Sequence, residues 1–285
     1  MAVVSFWSNC NEKETGQTLS SVAVAVNMAI EHNYKILLIS TGYRDKTVER
    51  CFWPENRGTE VASILGMRNL NSMGGVNNGI EGLVKILQSN RTSSNIVSDY
   101  VKVVFRDNRL DILPAPTTEN YEEYNEIANY YPKLLEIADR EYDLIFIDID
   151  RKMNIQAQKE ILNKSNAIVF TMKQGLDDLQ RVSELREKDE ILSGNNVIYL
   201  IGKYDKFSKY NIKNIAREFK GRTMVSAISY NTLFGEATTE GKVADFFLKY
   251  RSVTDPTDRN MKFMEEANNT CQNIISKLQE IRMRM

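Results

Sequence analysis

The chain of 285 residues has three cysteines, one histidine and no bulk charge. The cysteines, Cys10, Cys51 and Cys271, are odd in number and scattered. They give neither a disulfide framework nor the spacing of a zinc site, and they fit a reducing cytoplasm. A single histidine, His32, excludes Ser-His-Asp or Cys-His catalysis that does not run through it. It lies in Glu31-His32-Asn33, where a solvated cation at a helix C-terminus is expected. The formal net charge is −1. That excludes a bulk field aimed at nucleic acid or anionic lipid and leaves only local patches. No apolar run approaches the roughly 20 residues of a membrane span. The N-terminus enters an apolar strand without a basic leader region, so no signal peptide is expected.

What is present is ordinary for a soluble domain: 42% hydrophobic and 26% charged residues. Short apolar runs alternate with helical stretches. Strands are predicted at 3–7, 35–40, 110–113, 143–148, 166–171, 196–201 and 223–228. Helices are predicted at 17–32, 58–66, 79–90, 121–139, 154–163, 176–190, 211–219, 238–249 and 258–282. Continuous runs such as Leu144-Ile145-Phe146-Ile147 suit a parallel sheet covered on both faces. The alternation predicts one α/β domain over 1–285, a doubly wound, mostly parallel sheet with helices on both faces. Residues 66–82 read as a glycine- and asparagine-rich loop, and 100–113 as a hairpin around Asp107-Asn108.

The segment 3–39 reads as strand, loop, helix, strand. Its loop, Ser8 to Thr18, stands where a phosphate-binding loop would stand. Such a loop cradles phosphates with backbone N–H groups at a helix N-terminus; its lysine neutralises charge and its Ser/Thr binds Mg²⁺. Gly16 and Thr18 are in place. Gln17 replaces the lysine, and Glu12, Lys13 and Glu14 stand where glycines are wanted. The plain alternative is a βα loop with Thr15 or Thr18 near a helix cap. Asp148, ending the apolar strand Tyr142–Asp148, suits water-mediated Mg²⁺ binding or the capping of a turn.

Taken in order, these pieces resemble the ParA/MinD superfamily of deviant P-loop ATPases. Within it they are most similar to the pilus- and conjugation-associated branch that includes TadZ and CpaE. Phe6–Thr18 matches the family's KGGxGKT loop, and Lys35–Ser40 the strand before switch I. Leu113-Pro114-Ala115 matches its Leu-Pro-Ala, and Tyr142–Asp148 its Walker B strand. Asn166–Thr171 resembles the strand before the dimer-face helix, and Gly202-Lys203-Tyr204-Asp205 the Asn-Arg-Tyr-Asp segment. Ile228-Ser229-Tyr230-Asn231 stands for Ile-Pro-Tyr-Asp and Thr239-Glu240-Gly241-Lys242 for Asn-Gln-Gly-Lys.

The resemblance implies a P-loop NTPase-like fold. It also implies ATP with Mg²⁺ as cofactors, held by Lys13, Thr15, Gly16, Gln17, Thr18 and Leu19, with Thr18 and Asp148 on the metal. It implies a homodimer across the loop face, where Lys13 could pair with the partner's Glu12 or Glu14. Its other partners would be the proteins of a polar or membrane-associated machine. It implies a cytoplasmic protein recruited to membrane or cell pole. The departures are as specific. The phosphate lysine falls on Gln17, the signature lysine on Glu12 and the adenine-side asparagine on Gly202. No switch I aspartate stands at 40–42, where Asp45 is the next acid, and no switch II glycine follows Asp148. Since one charge-stabilising group is worth about 10²–10⁵ in rate, hydrolysis is expected to be slow or absent, and no residue is assigned as catalytic.

Three functions stay open at this level. One is a near-inactive relative acting as a localisation or assembly factor for a pilus, secretion, conjugation or DNA-partition apparatus. The second is a working Mg-ATPase using Lys13, and the third a scaffold that binds no nucleotide. The basic segment 203–222 reads as a nonspecific DNA contact or a solvated helix face. The final helix reads as a peripheral membrane contact or an element packed on the sheet.

Overall fold

The structure is a computed structural model. It describes residues 2–10, 12–54, 79–89, 96–107, 109–219 and 223–284. The predicted helix at 58–66, most of the 66–82 loop, Lys220 and Arg222 lie outside these residues, as do the side chains of Glu12, Lys13 and Arg284.

Eight strands form one sheet in the order β3-β4-β2-β5-β1-β6-β7-β8. They are β1 Ala2–Trp7, β2 Ile36–Ser40, β3 Lys102–Phe105, β4 Leu110–Leu113, β5 Leu144–Asp148, β6 Ala167–Met172, β7 Val197–Tyr204 and β8 Met224–Ser229. All neighbours run parallel except β3 and β4, which form the expected hairpin. The central strands β1, β2, β5 and β6 are buried throughout and mostly apolar, because helices cover both faces and leave no residue for solvent. One core contains Leu37, Tyr124, Ile145 and Phe170 on one face; the other contains Val24, Leu38, Phe146 and Phe263 on the opposite face.

Two predicted helical stretches are each split in two, and the short helix Thr47–Arg50 stands where none is predicted. The stretch 121–139 is two helices, Tyr121–Ala128 and Tyr131–Ala138, because Pro132 starts a new first turn. The stretch 238–249 is also two, Thr232–Glu240 and Val243–Tyr250, parted by Gly241 at φ 70. The Lys242 N–H donates to Ala237 O at 2.9 Å, closing the first of them as a left-handed glycine cap.

The last helix, Arg259–Arg284, is packed rather than free. It buries Phe263, Ala267, Cys271 and Ile274 against Gln17–Glu31 and β8. Its apolar stripe is therefore used in the core over most of its length, while Met283 stays exposed. Among the described residues no helix is long and apolar enough to cross a membrane.

Candidate functional site

The parallel strands bring their C-terminal ends to one edge. Register sets Phe6 of β1 and Ser40 of β2 beside Asp148 of β5. Thr41, fully buried, ties two of these ends together. Its hydroxyl donates to Asp148 O at 2.8 Å and accepts from the Asp150 N–H at 2.8 Å. The β1–helix loop, the β2–helix loop and Asp148–Lys152 thus meet at one place, the usual ligand position in an open α/β sheet.

The loop itself differs from an open cradle. Residues Glu12–Thr15 form a helical turn, followed by Gly16 at φ 73 and the long helix Gln17–Glu31. The reason is local: without glycines at 12–14 the chain does not wrap outward around a phosphate, and Glu-Lys-Glu forms a helix readily. Thr15 is buried, and its carbonyl lies against Gly202 of β7. A Cβ at Gly202 would sit 1.9 Å from that oxygen, so the close approach requires glycine there.

Gln17 points inward, fully buried. Its side-chain amide donates toward Asp148 Oδ1 at 2.8 Å, Ile149 O at 2.9 Å and Phe6 O at 3.2 Å. The amide nitrogen thereby cross-links β1 and β5 beneath the loop, and Gln17 Oε1 finds no partner in the protein. A side chain committed in this way is withdrawn from any ligand above the loop.

Thr18 and Asp148, the expected metal pair, do come together. They line one polar cavity of about 190 Å³ with Ser40, Asp45, Asp150 and Arg151. The other two acids there serve the backbone. Asp150 accepts from the Tyr43 and Lys152 N–H groups at 2.5 and 2.7 Å. Asp45 accepts from the Thr47 N–H at 2.9 Å. No group of three or more metal-ligating side chains occurs among the described residues. Thr18 would supply one of the six oxygens that Mg²⁺ wants and Asp148, one of whose oxygens already accepts from Gln17, would hold it through water, with phosphate oxygens and further waters completing the shell. The residues fit Mg²⁺ only as part of a metal–phosphate complex.

On the other side of Gly16, Leu19 helps line an apolar cavity of about 180 Å³ with Lys203, Tyr230, Asn231 and Phe234. Two cavities of opposite character thus flank the start of the long helix. Lys13 stands on the 12–15 turn. Glu14, expected to meet its mate across a dimer, is engaged in its own chain by Lys173, just after β6. Three cations near the loop, Arg151, Lys173 and Lys203, were not singled out from sequence as site residues. Each follows the end of a strand or sits in a bulge, positions that only the sheet order brings together.

No protein-family model matches the chain, and no curated protein matches it by sequence. Among solved structures it is similar to the ParA family ATPase from Chlorobium tepidum TLS, at TM-score 0.67 and 14% identity over 95% of this chain and 98% of that one. It is similar to a plasmid partition protein of Borrelia burgdorferi B31 bound to AMPPNP, at TM-score 0.57 and 16% identity over 99% and 98%. It is also similar to the septum site-determining protein MinD of Pyrococcus horikoshii OT3 complexed with Mg-ADP, at TM-score 0.58 and 14% identity over 97% and 98%. At these identities the likeness is one of fold: the mostly parallel eight-stranded sheet is that of ParA- and MinD-type ATPases.

Proposed function

We propose that this chain is a ParA/MinD-like positioning or assembly factor without appreciable ATP turnover. The observation that carries this reading is the Gln17 amide, bonded to Asp148 at 2.8 Å beneath the loop. At the position of the phosphate lysine there is a neutral group turned into the protein. Charge that develops on a transferring phosphoryl group would meet no cation from the loop lysine's position.

Nucleotide in this reading is a structural ligand. Its phosphates would lie over Gly16–Leu19 with Thr18 and Asp148 toward Mg²⁺, and its base would enter the apolar cavity beside Leu19. The chain would act as a homodimer with protein partners in a pilus, secretion, conjugation or DNA-partition apparatus, in line with the TadZ/CpaE-like order of its motifs. The test is steady-state phosphate release from the purified protein with Mg-ATP. Background release is expected. Turnover of about 1 s⁻¹, within the ordinary enzyme range, that disappears in Asp148→Ala would overturn the proposal.

A further inference from the structure

Gln17 leaves the phosphate-lysine position without a cation, yet cations from three other strand ends lie near the loop. Lys173, one residue past β6, pairs its ammonium with the Glu14 carboxylate. Lys203 sits in the bulge of β7 between Gly202 and Tyr204. Its backbone is left-handed, φ 52, which is uncommon for a lysine and is a conformation that the surroundings must hold in place. That turn lays its stem over Gly16: the Cγ lies 3.4 Å and the Cε 3.8 Å from where a Gly16 Cβ would be. Arg151, three residues past Asp148, lines the polar cavity with Thr18.

We propose that Lys173, Lys203 and Arg151 form a phosphate-binding set over the start of the 17–31 helix, and that Glu14 is the internal carboxylate that a nucleotide's phosphates displace. This rests on reading the edge as a nucleotide site. Lys173 holds the Glu14 carboxyl below its ordinary value of 4.5, and the charges of Arg151 and Lys203 add to it. Three positive groups from separate strand ends thus lie close enough to act on the Glu14 carboxylate, at the place where the phosphates would lie.

Displacement is cheap. The Glu14 and Lys173 side chains are 53% and 38% exposed, and an ion pair that open to water contributes little. A di- or triphosphate carries more oxygens and more negative charge than a single carboxylate, so it accepts more charge-assisted hydrogen bonds from the three cations at once. The apolar cavity that Lys203 shares with Leu19 and Tyr230 favours a nucleotide over a bare polyphosphate.

The experiment titrates a fluorescent ATP analogue into the full chain and its Glu14→Gln, Lys203→Gln, Lys203→Arg and Glu14→Gln/Lys203→Gln variants. Thermal melting checks that each is folded. Glu14→Gln is expected to tighten binding about tenfold and Lys203→Gln to weaken it about tenfold, the scale of one charge-assisted hydrogen bond. Lys203→Arg retains affinity, and the double variant returns near wild type. Competing pyrophosphate separates the sources: weak competition is expected of a nucleotide site, and displacement as strong as ATP's would overturn that assignment. Unchanged affinity in Glu14→Gln, wild-type affinity in Lys203→Gln, or no binding by any variant overturns the set. Phosphate release measured on the same samples tests the non-hydrolytic reading separately, since binding and turnover fail independently.

Discussion

At position 17 an amide takes up the place of an ammonium group and changes what the position is for. A lysine there would reach out to phosphates; the glutamine reaches down and satisfies two buried carbonyls and a carboxylate. Its identity was legible in the sequence, but its direction was not, because only the packing of β1 against β5 makes those acceptors available. Asp111 on β4 carries a second residue-scale lesson. Its Oδ2 accepts from the Tyr142 hydroxyl at 2.8 Å, while its Oδ1 is buried without a partner in the protein. Burial pushes this carboxyl above its ordinary value of 3.8, and the Tyr142 bond opposes the shift. The folded chain therefore holds the proton more tightly than the unfolded one. The stability this confers is complete below the ordinary value and is lost as pH rises through the raised one. Asp111→Asn keeps an acceptor for Tyr142 and removes the charge. Urea unfolding at about pH 4.5 and about pH 7.5 should show the variant gaining on wild type as pH rises. A constant difference between the two proteins would contradict this.

Among the elements, apolar runs gave β1, β2, β5 and β6 to within a residue, since a strand covered on both faces is mostly apolar, while β7 runs three residues past its apolar run to Tyr204. Helix breaks were harder to read. Gly241 looks like one glycine in a helical stretch, but it caps one helix at φ 70 and lies against Pro54. A Cβ there would stand 2.5 Å from Pro54 Cδ and 2.6 Å from Pro54 N. Gly241→Ala is therefore expected to lose about 1–3 kcal/mol, from left-handed backbone strain and the clash together. A urea midpoint equal to that of wild type would refute it. The last helix shows the reverse case: its periodicity suited both a membrane surface and a protein core, and the structure puts Phe263 and Ile274 in the core and leaves Met283 exposed.

For the whole molecule, the proposed homodimer predicts self-association through the loop-bearing face. Glu14 is bound to Lys173 within the chain, so across a two-fold axis the acid left for Lys13 is Glu12. A dimer is expected without ATP at about tens of micromolar protein, weakened in Lys13→Glu by charge reversal at a contact that each subunit makes twice. Sedimentation of both proteins decides it: a monomeric wild type, or a mutant that dimerises equally well, rules the contact out.

The sequence by itself determined the α/β class, the strand order along the chain, the strand–loop–helix at 3–31 and the replacement of the phosphate lysine by Gln17. These follow from local periodicity and residue chemistry. Tertiary structure decided which chemistry survives at the site. Sheet order brings the ends of β1, β2 and β5 together, turns Gln17 onto Asp148, and gathers Arg151, Lys173 and Lys203 around Glu14. Residues 14, 151, 173 and 203 are far apart along the chain. No local propensity links them; a parallel sheet does, by collecting the C-terminal ends of distant strands on one edge.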